Sequence, residues 1–353
     1  MKEINKFPPQ PDTSSTIKKR DSSIDQAAGL MLLWVVVGHA LNWCSLSDSV
    51  FWTTIQFLFF YRMPWFFYKA GMFGKKRDLG TEFKIGINKL IIPYIGLFII
   101  STIVYFIRFY VENGNLDFMT LLEIVILKLF ISGSAPGNSA IWFLVAMFFS
   151  KLMYVYLSKH FNHNVIVIGA ITVLMVNFYL KQSFPDSILL KWPEYIYCSI
   201  SALLFYTMGS LMKGKKIDYK ILVPALIAYV SIALFSFSYV DMHHNQLISG
   251  WYILWIPASF FGILLLNAAF KYTSRFYLFK TLEYIGNNSF AIFATHFIIG
   301  NIVWLTFIYP LNIHDSFVQF SIYIVSFVVL LPIVSRLLQK GWANFLIGKR
   351  DFI

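Results

Sequence analysis

The chain of 353 residues is 58% hydrophobic and only 13% charged, contains 37 Phe and 20 Tyr, and carries a formal net charge of +12. A water-soluble domain of this size could not cover so much apolar surface, so the composition predicts an integral membrane protein. The positive charge is typical of the cytoplasmic loops of such proteins, and the absence of a basic stripe interleaved with aromatics in a soluble segment argues against nucleic-acid binding.

The polar and proline-rich residues 1–19 are predicted to form a disordered cytoplasmic tail. Residues 20–345 are predicted to form one transmembrane domain, and residues 346–353 a short cytoplasmic C-terminal tail. At about 20 residues per crossing, the segments long enough to span a bilayer are 24–43, 51–73, 87–110, 140–158, 164–180, 195–212, 219–240, 250–270, 284–308 and 316–338. The shorter segment 118–133 carries two charges and is predicted to lie at the outer interface or to dip in and out.

The distribution of charge determines the predicted number of spans. If 118–133 does not cross, the basic clusters all fall on the side of the N-terminus, and acidic loop residues gather on the opposite side. If it does cross, every later cluster changes side and the asymmetry disappears. Because Lys and Arg are enriched in cytoplasmic loops, the sequence predicts an all-α membrane protein with about ten transmembrane helices and both termini cytoplasmic.

Several polar side chains lie within the predicted spans. The first span carries Asp25 near its cytoplasmic end and His39 near its outer end, about 21 Å apart at 1.5 Å per residue. The second span carries Arg62 and Lys69, and the ninth carries His296 at a depth slightly below His39. A cation at mid-membrane costs at least about 2.5–3.5 kcal/mol, so Arg62 needs anionic, carbonyl or water-filled surroundings. We expect the two histidines to line one cavity.

Each of these residues also has a purely structural interpretation. Trp142, which enters from the outer surface at a similar depth, is typical of an interfacial aromatic belt. Lys69 can extend to the headgroups, and a lone membrane histidine is often a structural hydrogen-bonding group. Two histidines, an intramembrane Arg and a helix broken by Pro favour a functional site when they occur together. That pattern alone fits a transporter as well as an enzyme.

Four stretches carry a family resemblance. They are RDSSIDQAAGLMLLWVVVGHA at 20–40, RMPWFFYKAGMF at 62–73, AIWFLVAMFF at 140–149 and YIGNNSFAIFATHFII at 284–299. In this order they resemble the integral-membrane O-acyltransferases of the acyltransferase-3 family, nearest to the fucose 4-O-acetylase branch. The resemblance implies ten spans, a bacterial inner-membrane location, and transfer of an acyl group, usually acetyl, to a sugar hydroxyl of a surface glycan or its lipid-linked precursor. Cytoplasmic acetyl-CoA is then a donor substrate, and no permanently bound cofactor is implied.

The resemblance also assigns roles to single residues. The family's histidine in the first span falls on His39, which would be either the general base or a transiently acylated group. Imidazole suits a base because its pKa lies near working pH. The tetrahedral oxyanion then needs hydrogen-bond donors, which Arg62, Trp142 or His296 can supply. Many relatives carry His where this chain has Arg62.

Two positions depart from the family pattern. The family's Arg or Lys eleven residues before the histidine is Ala28 here, and its Ser-Gly pair is Ala70–Gly71. Lys69 lies at about the depth of Ala28 on the antiparallel second span, and we predict that it replaces the missing cation, facing the CoA phosphate. The residues assigned to substrate or acyl-CoA binding are Asp25, Lys69, Trp142 and Asn288.

Two outer loops offer polar side chains for acceptor selection, although both also fit ordinary solvated loops. They are 239–250, with Asp241, His243, His244 and Asn245, and 132–139, with Ser134 and Asn138. Adjacent histidines do not face one way on a helix, and the two cysteines show no ligand spacing, so no metal site is predicted.

Two other functions remain open from the sequence. A polytopic glycan exporter or transporter would typically show inverted repeats, which are not detected here. A catalytically silent partner of a glycan-synthesis complex would account for the alanines at positions 28 and 70. In each reading the expected partners are membrane lipid and a glycan or lipid-linked sugar, with acyl-CoA added for the enzyme.

Overall fold

A computed structural model gives the arrangement of most of the chain. The described residues are 21–185, 187, 193–215, 218–273, 276 and 279–349. The predicted N-terminal tail 1–19 therefore lies outside the described residues, as do residues 350–353 of the predicted C-terminal tail. Leu346 and Ile347, at the start of that tail, are buried.

The first half of the chain is helical. Its α-helices are α1 (Ser22–Trp43), α2 (Val50–Phe59), α3 (Arg62–Met72), α4 (Leu79–Gly86), α5 (Ile92–Asn113), α6 (Phe118–Leu127), α7 (Trp142–Leu157) and α8 (His163–Ser183). Short π-helical segments occupy Ile87–Ile91 and Lys128–Ser132, and a 3-10 turn occupies Ser139–Ile141. The π segment Ile87–Ile91 joins α4 and α5 into one stretch.

The second half adds further helices and a small hairpin. Its elements are α9 (Glu194–Leu211), α10 (Tyr219–Phe235), β1 (Tyr239–Asp241), β2 (Gln246–Ser249), α11 (Tyr252–Thr273), α12 (Lys280–Asn287), α13 (Ser289–Val303) and α14 (Ser316–Lys340). A π segment, Trp304–Ile308, extends α13, and a 3-10 turn at Trp342–Ile347 follows α14.

The chain is a helical membrane protein, since 79% of it is helical and seven of its described helical stretches are long and apolar enough to cross a bilayer. These are Ser22–Trp43, Leu79–Asn113, Ser139–Leu157, His163–Ser183, Tyr252–Thr273, Ser289–Ile308 and Ser316–Lys340. The other predicted spans, 51–73, 195–212 and 219–240, contain helices that are not among the seven. The count of ten therefore remains a prediction, as does the orientation of the termini.

The second predicted span, 51–73, is two helices rather than one. Ser49 caps α2, its hydroxyl accepting a hydrogen bond from the Trp52 backbone N–H at 3.2 Å. After a turn, α3 begins at Arg62 and places Pro64 in its first turn, where the missing N–H of proline removes no helical hydrogen bond. The Met-Pro pair therefore starts a helix and puts Arg62 at its N-terminus.

Helix α1 is the centre of the bundle. In its most apolar window 78% of the residues are buried, against 17% for α14 and 22% for α8. Helices α2, α3, α11, α12, α13 and α14 all contact it. The Asp21 side chain starts the helix by accepting a hydrogen bond from the Ser23 backbone N–H at 3.0 Å. A side chain near the end of α1, such as His39, is consequently surrounded by protein.

The predicted outer loop 239–250 folds into the bundle instead of extending into solvent. Strands β1 and β2 pair antiparallel, and Val240 is buried in the main core. Asn245 takes a left-handed conformation (φ 47°) in the turn. Its side-chain carbonyl accepts a hydrogen bond from Tyr252, and its amide donates to the Asn177 side chain at 2.7 Å. The solvated-loop interpretation is therefore wrong for this hairpin.

Candidate functional site

A cavity of about 370 Å³ lies at the end of the bundle where α1 finishes, which we call the Trp43 end. Of the predicted site residues, His39, Arg62 and Trp142 line it. The other lining side chains include Asn42, Trp43, Trp52, Gln56, Lys128 and Asp241. This volume falls in the range of small-molecule sites, about 300–1,000 Å³. Hence the helices and the hairpin enclose space for a ligand directly beside the first-span histidine.

His39 and His296 are neighbours, as the sequence predicts. Their ring centroids are 5.4 Å apart, and the ring of Phe297 lies 4.6 Å from that of His39. They do not line the cavity equally. His39 faces it, whereas His296 is fully buried behind His39 and does not reach the cavity wall.

The hydrogen bond of His296 fixes which of its nitrogens carries the proton. Its Nδ1 lies 2.7 Å from the carbonyl oxygen of Phe293, and because a carbonyl only accepts, Nδ1–H must donate. In the neutral ring Nε2 is then a buried lone pair, without a hydrogen-bond partner among the described residues. Neutral His296 can accept a proton but has no free N–H in this tautomer, so Arg62 and Trp142 remain as the predicted donors to an oxyanion.

Arg62 is held by aromatic rings at the start of α3. Its guanidinium carbon lies 5.2 Å from the centre of the Trp52 ring and 5.9 Å from that of Tyr239. Nη2 donates to the Tyr239 hydroxyl at 3.4 Å, while Nη1 is buried and has no hydrogen-bond partner in the described part of the chain. Of the surroundings expected for this cation, the cavity offers room for water, and the contacts with described residues are two aromatic faces and one hydroxyl.

Trp142 is buried rather than part of an interfacial belt. Its ring stacks on that of His243, with centroids 5.1 Å apart and planes within 8° of parallel. Nε2 of His243 donates to the carbonyl oxygen of Ser132 at 3.1 Å, since only the nitrogen can donate. Burial, together with the neighbouring His244, lowers the pKa of His243, so this ring is neutral and serves as a flat wall of the cavity.

The rim of the cavity carries charge from the hairpin turn. Nδ1 of His244 lies 3.1 Å from a carboxylate oxygen of Glu194, and this hydrogen bond raises the pKa of His244. The carboxylate of Asp241 accepts a hydrogen bond from the His243 backbone N–H at 2.9 Å. These contacts tie the turn to α9 and hold the hairpin in place.

Three predicted binding residues lie away from the cavity, toward the end of the bundle where α1 begins, the Ser22 end. Lys69 Nζ is 3.9 Å from Oδ1 of the buried Asp25 and 5.4 Å from the centre of the Trp65 ring. Lys69 thus brings a cation to the level of Ala28, but Asp25 already balances part of its charge. On α1 the cavity extends no further toward Ser22 than Val35.

Asn288, the third of these residues, separates α12 from α13. Its side-chain oxygen accepts hydrogen bonds from Ser335, at 3.2 Å, and from Gln339, and its amide donates to the Tyr284 carbonyl at 2.8 Å. These bonds connect the start of α13 to α14. Its polar atoms are occupied by the protein itself.

The cavity beside His39 approaches it from the Trp43 end, and its described lining residues do not extend to Asp25 or Lys69 at the Ser22 end. A passage from the Ser22 end to His39, which an enzyme with a cytoplasmic donor needs, stays a prediction. Within the described ranges, no group of three or more His, Cys, Asp or Glu side chains is placed to hold a metal ion. A comparison with protein-family models matches residues 21–336, most of the chain, to the family described as Acyltransferase domain. No curated protein and no solved structure matches the chain.

Proposed function

Because the chain belongs to the membrane acyltransferase family whose model it matches, we propose that it is an O-acyltransferase acting on a sugar hydroxyl. The donor is acyl-CoA, most simply acetyl-CoA, and the acceptor is a cell-surface glycan or its lipid-linked precursor. We assign it to the fucose 4-O-acetylase-like branch and to the bacterial inner membrane on the sequence resemblance. The observation that carries the proposal is the position of His39, which faces a ligand-sized cavity and lies against a second histidine.

The chemistry follows from the imidazole of His39 and the guanidinium of Arg62. His39 takes the proton of the acceptor hydroxyl as its oxygen attacks the thioester carbon. The oxyanion forms near Arg62, whose Nη1 is free to donate. The intermediate then collapses, the CoA sulfur leaves, and the proton on His39 passes to that sulfur. In the covalent variant, a His39 nitrogen attacks the thioester carbon, and the CoA sulfur leaves with the proton that the imidazole loses. The acceptor hydroxyl then attacks the acyl-imidazole, and its proton passes to the departing His39 nitrogen.

In this proposal the donor binds at the Ser22 end of the bundle and the acceptor at the Trp43 end. With both termini cytoplasmic, the Ser22 end faces the donor, and Lys69 meets the CoA phosphate once it separates from Asp25. The acyl group then crosses the about 21 Å between the levels of Asp25 and His39 through a passage that opens on donor binding. Unchanged acyl transfer by Lys69→Ala would contradict that role. For Asn288 we propose a structural role, because its polar atoms are already bonded.

The deciding experiment compares His39→Ala with His160→Ala, an exposed histidine that does not line the cavity. Purified protein is assayed for transfer from acetyl-CoA, and cell glycans are measured by mass spectrometry. Loss of general base catalysis lowers the rate by about 10²–10⁴-fold, so His39→Ala removes the acyl mass increment while His160→Ala retains it.

Other outcomes favour the other functions. Loss of the whole polymer from the surface in His39→Ala cells identifies an exporter. An unchanged acyl increment in His39→Ala, together with its loss on deletion of the chain, identifies a silent partner. Either result contradicts the proposal that the chain is an O-acyltransferase.

A further inference from the structure

No described carboxylate forms an ion pair with Arg62. In the described part of the chain no carboxylate oxygen lies within 4 Å of its guanidinium. Its faces rest on Trp52 and Tyr239, and its single hydrogen bond is the one to the Tyr239 hydroxyl. Aromatic faces attract a cation but do not accept its N–H groups in the guanidinium plane. The Nη1 edge therefore lacks an acceptor.

The rest of the cavity adds to this positive potential. Lys128 lines the same cavity, and the only acidic lining residue among those described, Asp241, has one carboxylate oxygen bonded to a backbone N–H. Arg62 is also the first residue of α3, an 11-residue helix with no side-chain cap, so the positive end of the helix dipole lies beside it. Guanidinium, helix end and Lys128 all favour a bound anion.

The oxyanion of the reaction does not meet this need. It exists only during turnover, whereas the guanidinium lacks a carboxylate partner among the described residues of the resting structure. A group that is negative before, during and after transfer is required, and the acceptor is the substrate that occupies the Trp43 end. A planar guanidinium is matched in shape to a carboxylate or a phosphate.

We propose that the acceptor is an acidic sugar, carrying a carboxylate or a phosphate, and that Arg62 binds this anionic group beside His39. This rests on the proposed function, because it names the acceptor class of the same site. Trp52 and Tyr239 flank the guanidinium and hold it at the wall of the cavity that His39 also lines. Arg62 thereby selects the acceptor in addition to its place near the oxyanion.

The test measures binding without chemistry. The full chain in lipid nanodiscs is titrated with D-glucuronate, D-glucose 1-phosphate and D-glucose at constant ionic strength, and affinity is obtained from the shift of the thermal unfolding midpoint. At least one anionic sugar binds about tenfold or more tightly than glucose. Arg62→Gln removes the difference, Arg62→Lys retains part of it, and Lys84→Gln, an exposed charge outside the cavity, leaves it unchanged. A preference for glucuronate identifies a sugar carboxylate, and a preference for the phosphate identifies a phosphorylated or lipid-linked sugar.

Three results overturn the inference: equal binding of glucose and both anions, no binding of either anion, or an anion preference that survives in Arg62→Gln. The proposed function fails separately. If His39→Ala keeps the anion preference but wild-type protein acylates no acceptor, the anion site is supported and the proposed acyltransferase function is contradicted. If wild-type protein acylates neutral and acidic acceptors equally, the acyltransferase function is supported and the anion site is contradicted.

Discussion

His39 and His296 are the same residue type, yet their surroundings give them different chemistry. His39 touches a cavity, while His296 donates Nδ1–H to a carbonyl three residues earlier and keeps a bare Nε2. The sequence predicts that the two rings meet, because the depth of a residue along a helix follows from counting. It does not predict the tautomer, because that depends on the rotation of one side chain toward one carbonyl.

The surroundings of Arg62 show the same limit. The energetic cost of a cation in a membrane span indicates from sequence that Arg62 needs special surroundings. Its actual neighbours, Trp52 and Tyr239, lie 10 and 177 residues away along the chain. Contact with Trp52 requires the turn between α2 and α3, and contact with Tyr239 requires the hairpin to fold inward. Neither event is visible in a pattern of hydrophobic residues.

The rim histidine His244 makes the anchoring of the hairpin dependent on pH. Its pKa is raised above the ordinary 6.5 by the hydrogen bond to Glu194, so the folded protein holds a proton that the unfolded chain has released. The stabilisation is therefore fully present below pH 6.5 and is lost as pH rises through the raised pKa of His244. We expect amide hydrogen exchange in 239–249, corrected for its intrinsic pH dependence, to accelerate above that pKa.

His244→Gln provides the control. Glutamine retains a hydrogen bond to Glu194 but does not titrate, so its hairpin should exchange with the same corrected rate on both sides of pH 6.5. Other charged groups near the turn, including Lys128 and Asp241, are unchanged in this variant. If corrected exchange in the wild-type hairpin did not depend on pH, the hydrogen bond between His244 and Glu194 would not be what holds the hairpin in place.

Among the elements, α3 and α9 pack closely, and this explains the glycine in the Ala70–Gly71 pair. A Cβ on Gly71 would lie 1.9 Å from the carbonyl oxygen of Tyr206 on α9, and a Cβ on Gly209 would lie 2.0 Å from that of Tyr68. The two helices therefore cross backbone to backbone, as small residues permit in membrane proteins.

Alanine at position 71 should separate α3 from α9. We expect Gly71→Ala to lower the free energy of unfolding by about 1–3 kcal/mol or more and to reduce acyl transfer, because α3 carries Arg62 and Lys69. The matched control is Gly169→Ala on α8, where nothing lies within 4 Å of the added Cβ. Removing glycine from an open helical position stabilises by up to about 1 kcal/mol. Thermal unfolding of both purified variants measures the difference, and equal midpoints would contradict the packing argument.

The bounds of a helix were predicted correctly where the length of the apolar run alone sets them. The first and last predicted spans, 24–43 and 316–338, match α1 and α14 to within two residues at each end. Where a local signal interrupts an apolar run, the helix bounds differ from the predicted ones, while the spans themselves stay predictions. Helix α3 begins at Arg62, with Pro64 in its first turn, inside 51–73, and Asn288 separates two helices inside 284–308. The inward fold of the hairpin depends on long-range bonds to Asn177 and Ser132 that no local pattern reveals.

At the scale of the whole molecule, the cavity and the Lys69–Asp25 pair lie at opposite ends of α1. An enzyme that takes its donor from one side of the membrane and its acceptor from the other needs both ends to reach His39. Here one approach exists as the cavity, whose described lining does not reach the Lys69–Asp25 pair. Under the proposed function, this arrangement is a state ready for the acceptor and awaiting the donor.

Labelling of single cysteines from one side of the membrane tests this arrangement. Gln56 lines the cavity, whereas Lys84 is exposed near the start of the long helical stretch Leu79–Asn113, which the proposed topology places on the cytoplasmic side. In intact cells made permeable only at the outer membrane, a membrane-impermeant maleimide should label Gln56→Cys, while Lys84→Cys should react only after the inner membrane is opened. The native Cys44 and Cys198 are buried and give a low background, which unmodified protein measures directly. The reverse pattern would place both the cavity and the termini on the wrong sides, and a cysteine at position 56 that reacts from neither side would show that the cavity is closed to the acceptor.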